Sequence, residues 1–242
     1  MLSFENLKEL ANENQTGLEN IAREYIQHLF LSSLYKINGS EKVLFKGGTA
    51  LKVIYNSPRF SEDLDFDGQN IHQLQIIDDL FIEVNSEIEK IGIEIGLKEA
   101  KKTTGGYLGI ISYRLYDISG EMKFEVSLRG GKRIDYEMAT IVSDYLPPYS
   151  LIHSPAKEMV KGKIEALLSR GKPRDYYDFY FILRHPELRR AVNKNQLKSI
   201  AESINKTTIN FKRELSVLLP VSHHLILKDF KKTLLQEIKK YL

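Results

Sequence analysis

Asp63 and Asp65, two carboxylates one residue apart, are the side chains of this 242-residue chain best placed to do chemistry. On an extended strand they project from the same face. Carboxylate oxygens are hard ligands suited to Mg²⁺, with Mn²⁺ an alternative for the same donor set. Two such ions roughly 3.5–4 Å apart stabilise both the attacking and the leaving oxygen in displacement at phosphorus. Upstream, Gly47-Gly48 stands where a strand passes into a helix. Glycine there lets the backbone come close to a phosphate and aims amide N–H groups and the positive helix end at it. Lys46 adds a charge and Thr49 a hydroxyl donor. Each fragment alone is ordinary: an Asp-x-Asp pair is often a solvated acidic edge, and Gly-Gly is often only a turn. The Gly-x4-Gly-Lys-Ser/Thr spacing of a P-loop is absent. Taken together and in this order, the fragments describe a site for a nucleoside triphosphate.

Elements must bring these residues together. Val43-Leu44-Phe45 reads as a short buried strand, Thr49 to Tyr55 as a helix, and Asp63 to Phe66 as a second strand pairing with the first. Leu18, Ile21, Ala22, Tyr25, Ile26, Leu29 and Phe30 recur at helical spacing, which predicts an amphipathic helix over 17–35. A second helix is expected over 72–91 and a strand over 93–101. Strands over 107–116 and 121–129 are expected to join through Asp117-Ile118-Ser119-Gly120. In the latter strand Phe124, Val126 and Leu128 share one face, and Lys123, Glu125 and Ser127 the other. Pro147-Pro148 and Ser154-Pro155 mark a boundary near 147–154. Beyond it the chain reads as nearly all helix, over 155–169 from a Ser154 cap with Pro155 in the first turn, and over 174–184 after the break at Gly171-Lys172-Pro173. The predicted fold class is α+β. An α/β domain over 1–150, a mixed sheet flanked by helices, precedes a basic helical domain over 151–242.

Composition removes several alternatives. The absence of cysteine excludes disulfide scaffolds, thiolate metal sites and a cysteine nucleophile. No apolar run approaches the roughly 18 residues of a membrane span. The N-terminal residues are acidic where a signal peptide is basic and then apolar. These features predict a soluble, cytoplasmic protein without a membrane partner. The net charge of +3 conceals a split: residues 1–150 hold 16 basic and 23 acidic side chains, net −7, and residues 151–242 hold 19 and 9, net +10. A basic second half is expected either of a polyanion-binding region or of a solvated helical surface. The six histidines are scattered without metal-ligand spacing, and Tyr176, Tyr177, Phe179, Tyr180 and Phe181 read as core and pocket wall. Gly130-Gly131-Lys132-Arg133 reads as a basic hairpin end, with contact to nucleic-acid phosphates the alternative.

Gly47-Gly48-Thr49 followed by Asp63-Leu64-Asp65, with 14 residues between Gly48 and Asp63, resembles the signature of the DNA polymerase β-type nucleotidyltransferases. The closer resemblance is to the AbiEii/AbiGii toxin family. Its members read Lys-Gly-Gly-Thr-Ala-Leu and then Arg-x-Ser-x-Asp-Leu-Asp-Phe. Here Lys46 to Leu51 and Arg59, Ser61, Asp63, Leu64, Asp65 and Phe66 stand in those places. A second motif follows a hundred residues on: Glu158, Lys163, Ala166-Leu167 and Arg170, then Arg174-Asp175-Tyr176-Tyr177-Asp178. The resemblance spans about 45–184 and leaves 185–242 unassigned.

The resemblance implies a minimal polymerase β-like core whose helical domain completes the active-site cleft. It implies transfer of a nucleoside monophosphate from an NTP to an acceptor hydroxyl. Asp63 and Asp65 become metal ligands, with Glu125 a candidate third carboxylate. Lys46, Gly47, Gly48, Thr49, Arg59, Ser61 and Arg170 become the nucleotide-binding set, and Lys163 and Asp175 join the catalytic residues. Asp178 is either a further active-site acid or a strut between helices. Lys163 and Arg170, two helical turns apart, share a face, and Arg174 and Asp178 have the spacing of a surface pair. The family further implies a toxin with a separate cognate antitoxin and, as first acceptor, the 3′ end of tRNA. Two other readings are a nucleotidyltransferase acting on a protein or small molecule, and a non-catalytic RNA-binding module on the same fold.

Overall fold

The computed structural model describes residues 1–128 and 135–242. The basic glycine segment Gly130-Gly131-Lys132-Arg133 lies outside the described residues. The chain divides into two units, Met1–Asn56 with Phe60–Ser154, and Ser57–Arg59 with Pro155–Leu242. The chain therefore leaves the first unit for three residues, Ser57 to Arg59, between the glycine turn and the aspartate strand.

In the first unit the described residues form a seven-stranded mixed sheet in the order β3-β4-β5-β2-β1-β7-β6. The strands are β1 (Val43–Lys46), β2 (Leu64–Gly68), β3 (Glu94–Thr103), β4 (Gly106–Leu115), β5 (Ile118–Ser127), β6 (Glu137–Ile141) and β7 (Tyr149–His153). β1 runs antiparallel to β2 and parallel to β7, and β2 runs parallel to β5. The strands that carry the glycine turn and the aspartates are thus central in the sheet. The helices of this unit are α1 (Phe4–Glu13), α2 (Leu18–Leu34), α3 (Gly47–Tyr55) and α4 (Gln75–Glu89).

The core explains why the central strands hold position. Helix α2 buries Ile21, Ala22, Tyr25, Ile26, Phe30 and Leu34, and packs on α4, β5 and β7. Phe30, Phe81 and Phe124 meet where α2, α4 and β5 converge, with the Phe81 and Phe124 ring centroids 3.7 Å apart. Gly109 on β4 makes room for this cluster, because a Cβ there would lie 2.0 Å from the Phe124 ring. Truncating a buried phenylalanine of this kind costs about 3–5 kcal/mol.

Several local expectations change. The β4–β5 turn is tighter than Asp117 to Gly120: Leu115 already pairs with Ile118, so Tyr116 and Asp117 alone make the turn. Tyr116 takes φ 55°, the left-handed conformation that a two-residue hairpin requires. Ser154 does not cap the following helix. Its hydroxyl donates to Asp67 at 2.9 Å, and Pro155 holds the cap position. Helix α1 and strands β6 and β7 appear where no element is expected from the sequence.

The second unit is helical: α5 (Ala156–Ser169), α6 (Pro173–Arg184), α7 (Leu197–Lys206), α8 (Phe211–Leu218) and α9 (Phe230–Lys239), with 3₁₀ turns between. Pro173 stands in the first turn of α6, where its missing N–H has no helical acceptor to lose. Tyr177, Tyr180, Phe211 and Phe230 pack their rings against one another in its core. No helix among the described residues is long and apolar enough to cross a membrane.

Candidate active site

Strand β1 ends at Lys46, and the chain turns directly into α3. Gly47 makes the turn with φ +90°, a conformation that a side chain rarely tolerates. A Cβ on Gly47 would lie 2.0 Å from Oδ2 of Asp65. The Asp65 carboxylate therefore sits where a residue-47 side chain would be, against the first turn of α3. The register brings it there, since Lys46 pairs with Asp65 across the antiparallel β1–β2 ladder. No side chain caps α3, so its first amides have no helical acceptor and no capping oxygen.

Leu64 and Phe66 of β2 are buried, while Asp65 and Asp67 on the opposite face remain partly exposed. Asp63 precedes the strand by one residue. Its carbonyl accepts a hydrogen bond from the Thr49 hydroxyl, and Thr49 is itself buried. The Thr49 hydroxyl thus fixes the entry to β2 against α3. Ser61 is held in the same connection by its carbonyl, which accepts from Gln27 Nε2 at 3.0 Å.

Asp67 is a member of this group that sequence reasoning missed. It forms an ion pair with Lys46 and accepts from Ser154 Oγ. The signal was present: Asp65 and Asp67 alternate along β2, continuing the spacing of Asp63 just before it. Lys46 is consequently held by a carboxylate on the next strand.

Glu125 stands opposite Asp65 on the parallel strand β5. It is exposed. Among the described residues no group of three or more acids and histidines is arranged to hold a metal ion. The structure therefore does not gather Asp63, Asp65 and Glu125 into one centre. The remaining pair still fits Mg²⁺, which is commonly held by one or two carboxylates while substrate phosphates and water complete its octahedron. Asp65 supplies a hard oxygen donor beside the uncapped amides of the glycine turn, and Asp63 stands two residues before it in the chain.

The residues expected from the second motif lie in the helical unit and make two rungs between α5 and α6. In one, Asp178 receives Arg59 Nε at 2.7 Å and Nη2 at 3.0 Å, and Lys163 Nζ at 2.8 Å. Arg59 and Asp178 are almost wholly buried, at 2% and 1% exposure. Burial alone would raise the Asp178 pKa, but Arg59 and Lys163 outweigh it and hold the carboxyl below its ordinary value. Burial would likewise lower the pKa of Arg59, and Asp178 reverses this and raises it. In the other rung, Asp175 accepts from Arg170 Nε at 2.9 Å and Nη2 at 2.8 Å, and from the Lys172 amide at 3.0 Å. Its carboxylate is fully buried.

Asp178 is therefore a strut between helices, and its partners are Arg59 and Lys163. Arg174 instead lies 3.7 Å from Glu214. Arg59, expected in the nucleotide-binding set, is engaged in that strut. No local pattern signals that residue 59 joins residues 163 and 178, because its pairing with Asp178 spans 119 positions.

The profile of one family, described as Nucleotidyl transferase AbiEii toxin, Type IV TA system, matches residues 29–240. No curated protein matches the chain significantly. Among solved structures the fold is similar to JHP933 from Helicobacter pylori, with 21% identity, a TM-score of 0.66 and 93% of each chain covered. It is also similar to MenT4, a nucleotidyltransferase toxin from Mycobacterium tuberculosis H37Rv, with 17% identity and a TM-score of 0.64, covering 100% of this chain and 93% of that one. A third similar structure is a putative nucleotidyltransferase from H. pylori, with 21% identity, a TM-score of 0.58 and coverage of 93% and 98%.

Proposed function

The chain belongs to the AbiEii family of nucleotidyl transferase toxins, and from that premise we propose that it moves a nucleoside monophosphate from an NTP to a hydroxyl of RNA, with the 3′ end of tRNA as first acceptor. The family makes it a nucleotidyltransferase that takes an NTP and belongs with a cognate antitoxin. The observation that carries the site assignment is the apposition of Asp65 to Gly47 at the uncapped start of α3.

In this reading the amides of Gly47 and Gly48 receive the triphosphate, and Lys46 lends positive charge beside them. Asp63 and Asp65 hold Mg²⁺, or Mn²⁺ in its place. Held there, the ion would neutralise charge on the phosphate oxygens. The acceptor oxygen bonds to the α-phosphorus, the bond to the bridging oxygen breaks, and pyrophosphate leaves. Thr49 positions Asp63 through its carbonyl, and Asp67 positions Lys46. Glu125, beside Asp65 and open to solvent, is a candidate to take the hydroxyl proton.

The helical unit divides its labour differently. Arg59, Lys163 and Asp178 maintain its α5–α6 packing, as do Arg170 and Asp175. Lys163 and Asp175 contribute to transfer through that packing. In this reading the chemistry belongs to the domain over 1–150 and the basic helical domain runs over 151–242. With NTP and tRNA as its substrates, the proposed activity is cytoplasmic.

The test is incubation of the purified chain with Mg²⁺, each of the four NTPs, and either tRNA or a protein extract, scored by product mass. A tRNA that gains nucleotide mass supports the reading. Mass gained only by protein or by a small molecule replaces the acceptor, and RNA binding without turnover of any NTP replaces the enzyme.

A further inference from the structure

The helical unit contains two adjoining cavities, the larger in the C-terminal segment that the motifs leave unassigned and the smaller between α6 and that segment. The larger, of about 1430 Å³, lies among residues 207–239, between α8, the 3₁₀ segment Val221–Asp229 and α9. Lys212, Lys228, Lys231, Lys232 and Lys239 line it against a single acid, Asp229. Lys231 is occupied, its Nζ donating to the carbonyls of Asn205 and Thr207 at 2.8 Å each. The other four lysines are exposed and make no ion pair among the described residues. Between them the wall is apolar, from Ile209, Leu225 and Leu235.

The smaller cavity, of about 450 Å³, is walled by Tyr177, Tyr180 and Phe181, with Arg184, His185 and His223 among its polar lining. The Arg184 guanidinium lies 5.3 Å from the Tyr180 ring centroid and donates to the Tyr180 hydroxyl at 2.7 Å. It is exposed and has no carboxylate partner among the described residues. Leu225 lines both cavities and is 88% exposed.

We propose that these cavities form a binding site for single-stranded RNA. Its phosphates lie along Lys212, Lys228, Lys232 and Lys239, and one base enters the Tyr177–Tyr180–Phe181 pocket past Leu225. Proteins that hold single strands pair a basic groove following the backbone with aromatic walls for the bases. Four lysines that make no ion pair among the described residues, beside one acid, supply the first half of that arrangement. A pocket of small-molecule size, aromatic-walled and lined by a guanidinium with no carboxylate partner among the described residues, supplies the second. An acidic peptide would satisfy the lysines but brings no flat heterocycle to the pocket. The proposal rests on RNA being the acceptor and assigns where the strand is held.

The test measures anisotropy of a fluorescein-labelled single-stranded oligoribonucleotide of roughly 12 nucleotides, without NTP, across a salt series. The comparison protein is the full chain carrying Lys212→Gln, Lys228→Gln, Lys232→Gln and Lys239→Gln, all at exposed positions. The expected result is binding at least tenfold weaker, with the slope of log K against log salt flattened by about 0.7 for each phosphate no longer neutralised. An oligomer of the same length lacking bases is expected to bind roughly tenfold more weakly than the RNA. Unchanged affinity and slope in the lysine variant overturn the site, and so does polyglutamate displacing the RNA at equal charge. Equal binding of the base-free oligomer overturns the base pocket. Asp65→Asn separates this from the transfer reading, because it is expected to bind RNA as the wild type does while losing transfer. A wild type that labels another acceptor yet binds RNA through these lysines upholds the site and removes RNA as acceptor.

Discussion

The carboxylate of Asp65 occupies the space a side chain at position 47 would need, with Oδ2 lying 2.0 Å from where a Cβ would stand. Gly47 also holds φ +90°. Both constraints act on one residue, and both bear on where Asp65 sits. Gly47→Ala is expected to cost roughly 1–3 kcal/mol of stability through backbone strain alone. It also pushes the carboxylate from the start of α3, so NMP transfer is expected to fall by about 100-fold or more, since a misplacement near 1 Å can cost that much. An alanine variant that transfers at the wild-type rate would show that this apposition does not set the metal site.

Thr49 is expected to act through Asp63. Thr49→Val removes the hydroxyl that donates to the Asp63 carbonyl, a part-buried hydrogen bond, at a cost of about 0.5–1.5 kcal/mol. Transfer should fall with it, and Thr49→Ser should recover most of both. Kinetics and urea unfolding of the two variants check this. Equal loss in valine and serine would mean that the methyl group matters and the hydrogen bond does not.

Asp178 is expected to be a stability residue. Asp178→Ala strands Arg59 and Lys163 in the interior of the helical unit without their shared acid, and removing one partner of such a cluster costs about 3–5 kcal/mol. Because the folded pKa is depressed, this contribution is present above the ordinary carboxylate range and is lost only as pH falls through the lower folded value. Urea midpoints near neutral pH should therefore drop sharply in the variant. A midpoint matching the wild type would remove the strut.

His28 gives the fold an earlier acid sensitivity. Burial first, and then Lys52, lower its pKa from 6.5 to about 4, and its Nδ1 meets the Tyr149 hydroxyl at 2.9 Å. The unfolded chain takes up this proton as pH falls from 6.5 towards 4 while the folded chain does not. Stability is therefore expected to decline over that window by about 3 kcal/mol from this group. In His28→Gln the decline should shrink by most of that amount. An unchanged pH profile would place the acid sensitivity elsewhere.

The centre of the first unit is legible in the sequence because its cues are local. The apolar triplet Val43-Leu44-Phe45, the glycine pair and the alternating aspartates each set their own geometry, and β1, α3 and β2 follow. Strand β7 is hidden because it begins immediately after Pro147-Pro148, where the prolines read as a boundary. Strand β6 is hidden because Glu137–Ile141 is exposed along most of its length and lacks a clean alternation. The pairs that organise the two units are less legible. Asp67 with Lys46 and Ser154, and Arg59 with Asp178, join residues far apart in the chain. No spacing rule announces them, and only the folded register brings them together.

Labelled NMP transfer to tRNA by Asp65→Asn tests the metal site most directly. Asparagine keeps the shape beside Gly47 and removes the charge that a divalent cation needs. Transfer by the wild type is expected to be abolished by chelation. Asp65→Asn is expected to lose roughly 1,000-fold or more with unfolding unchanged, since the ion supplies several kcal/mol of charge stabilisation. Transfer by Asp65→Asn at the wild-type rate would contradict the assignment of Asp65 as a metal ligand.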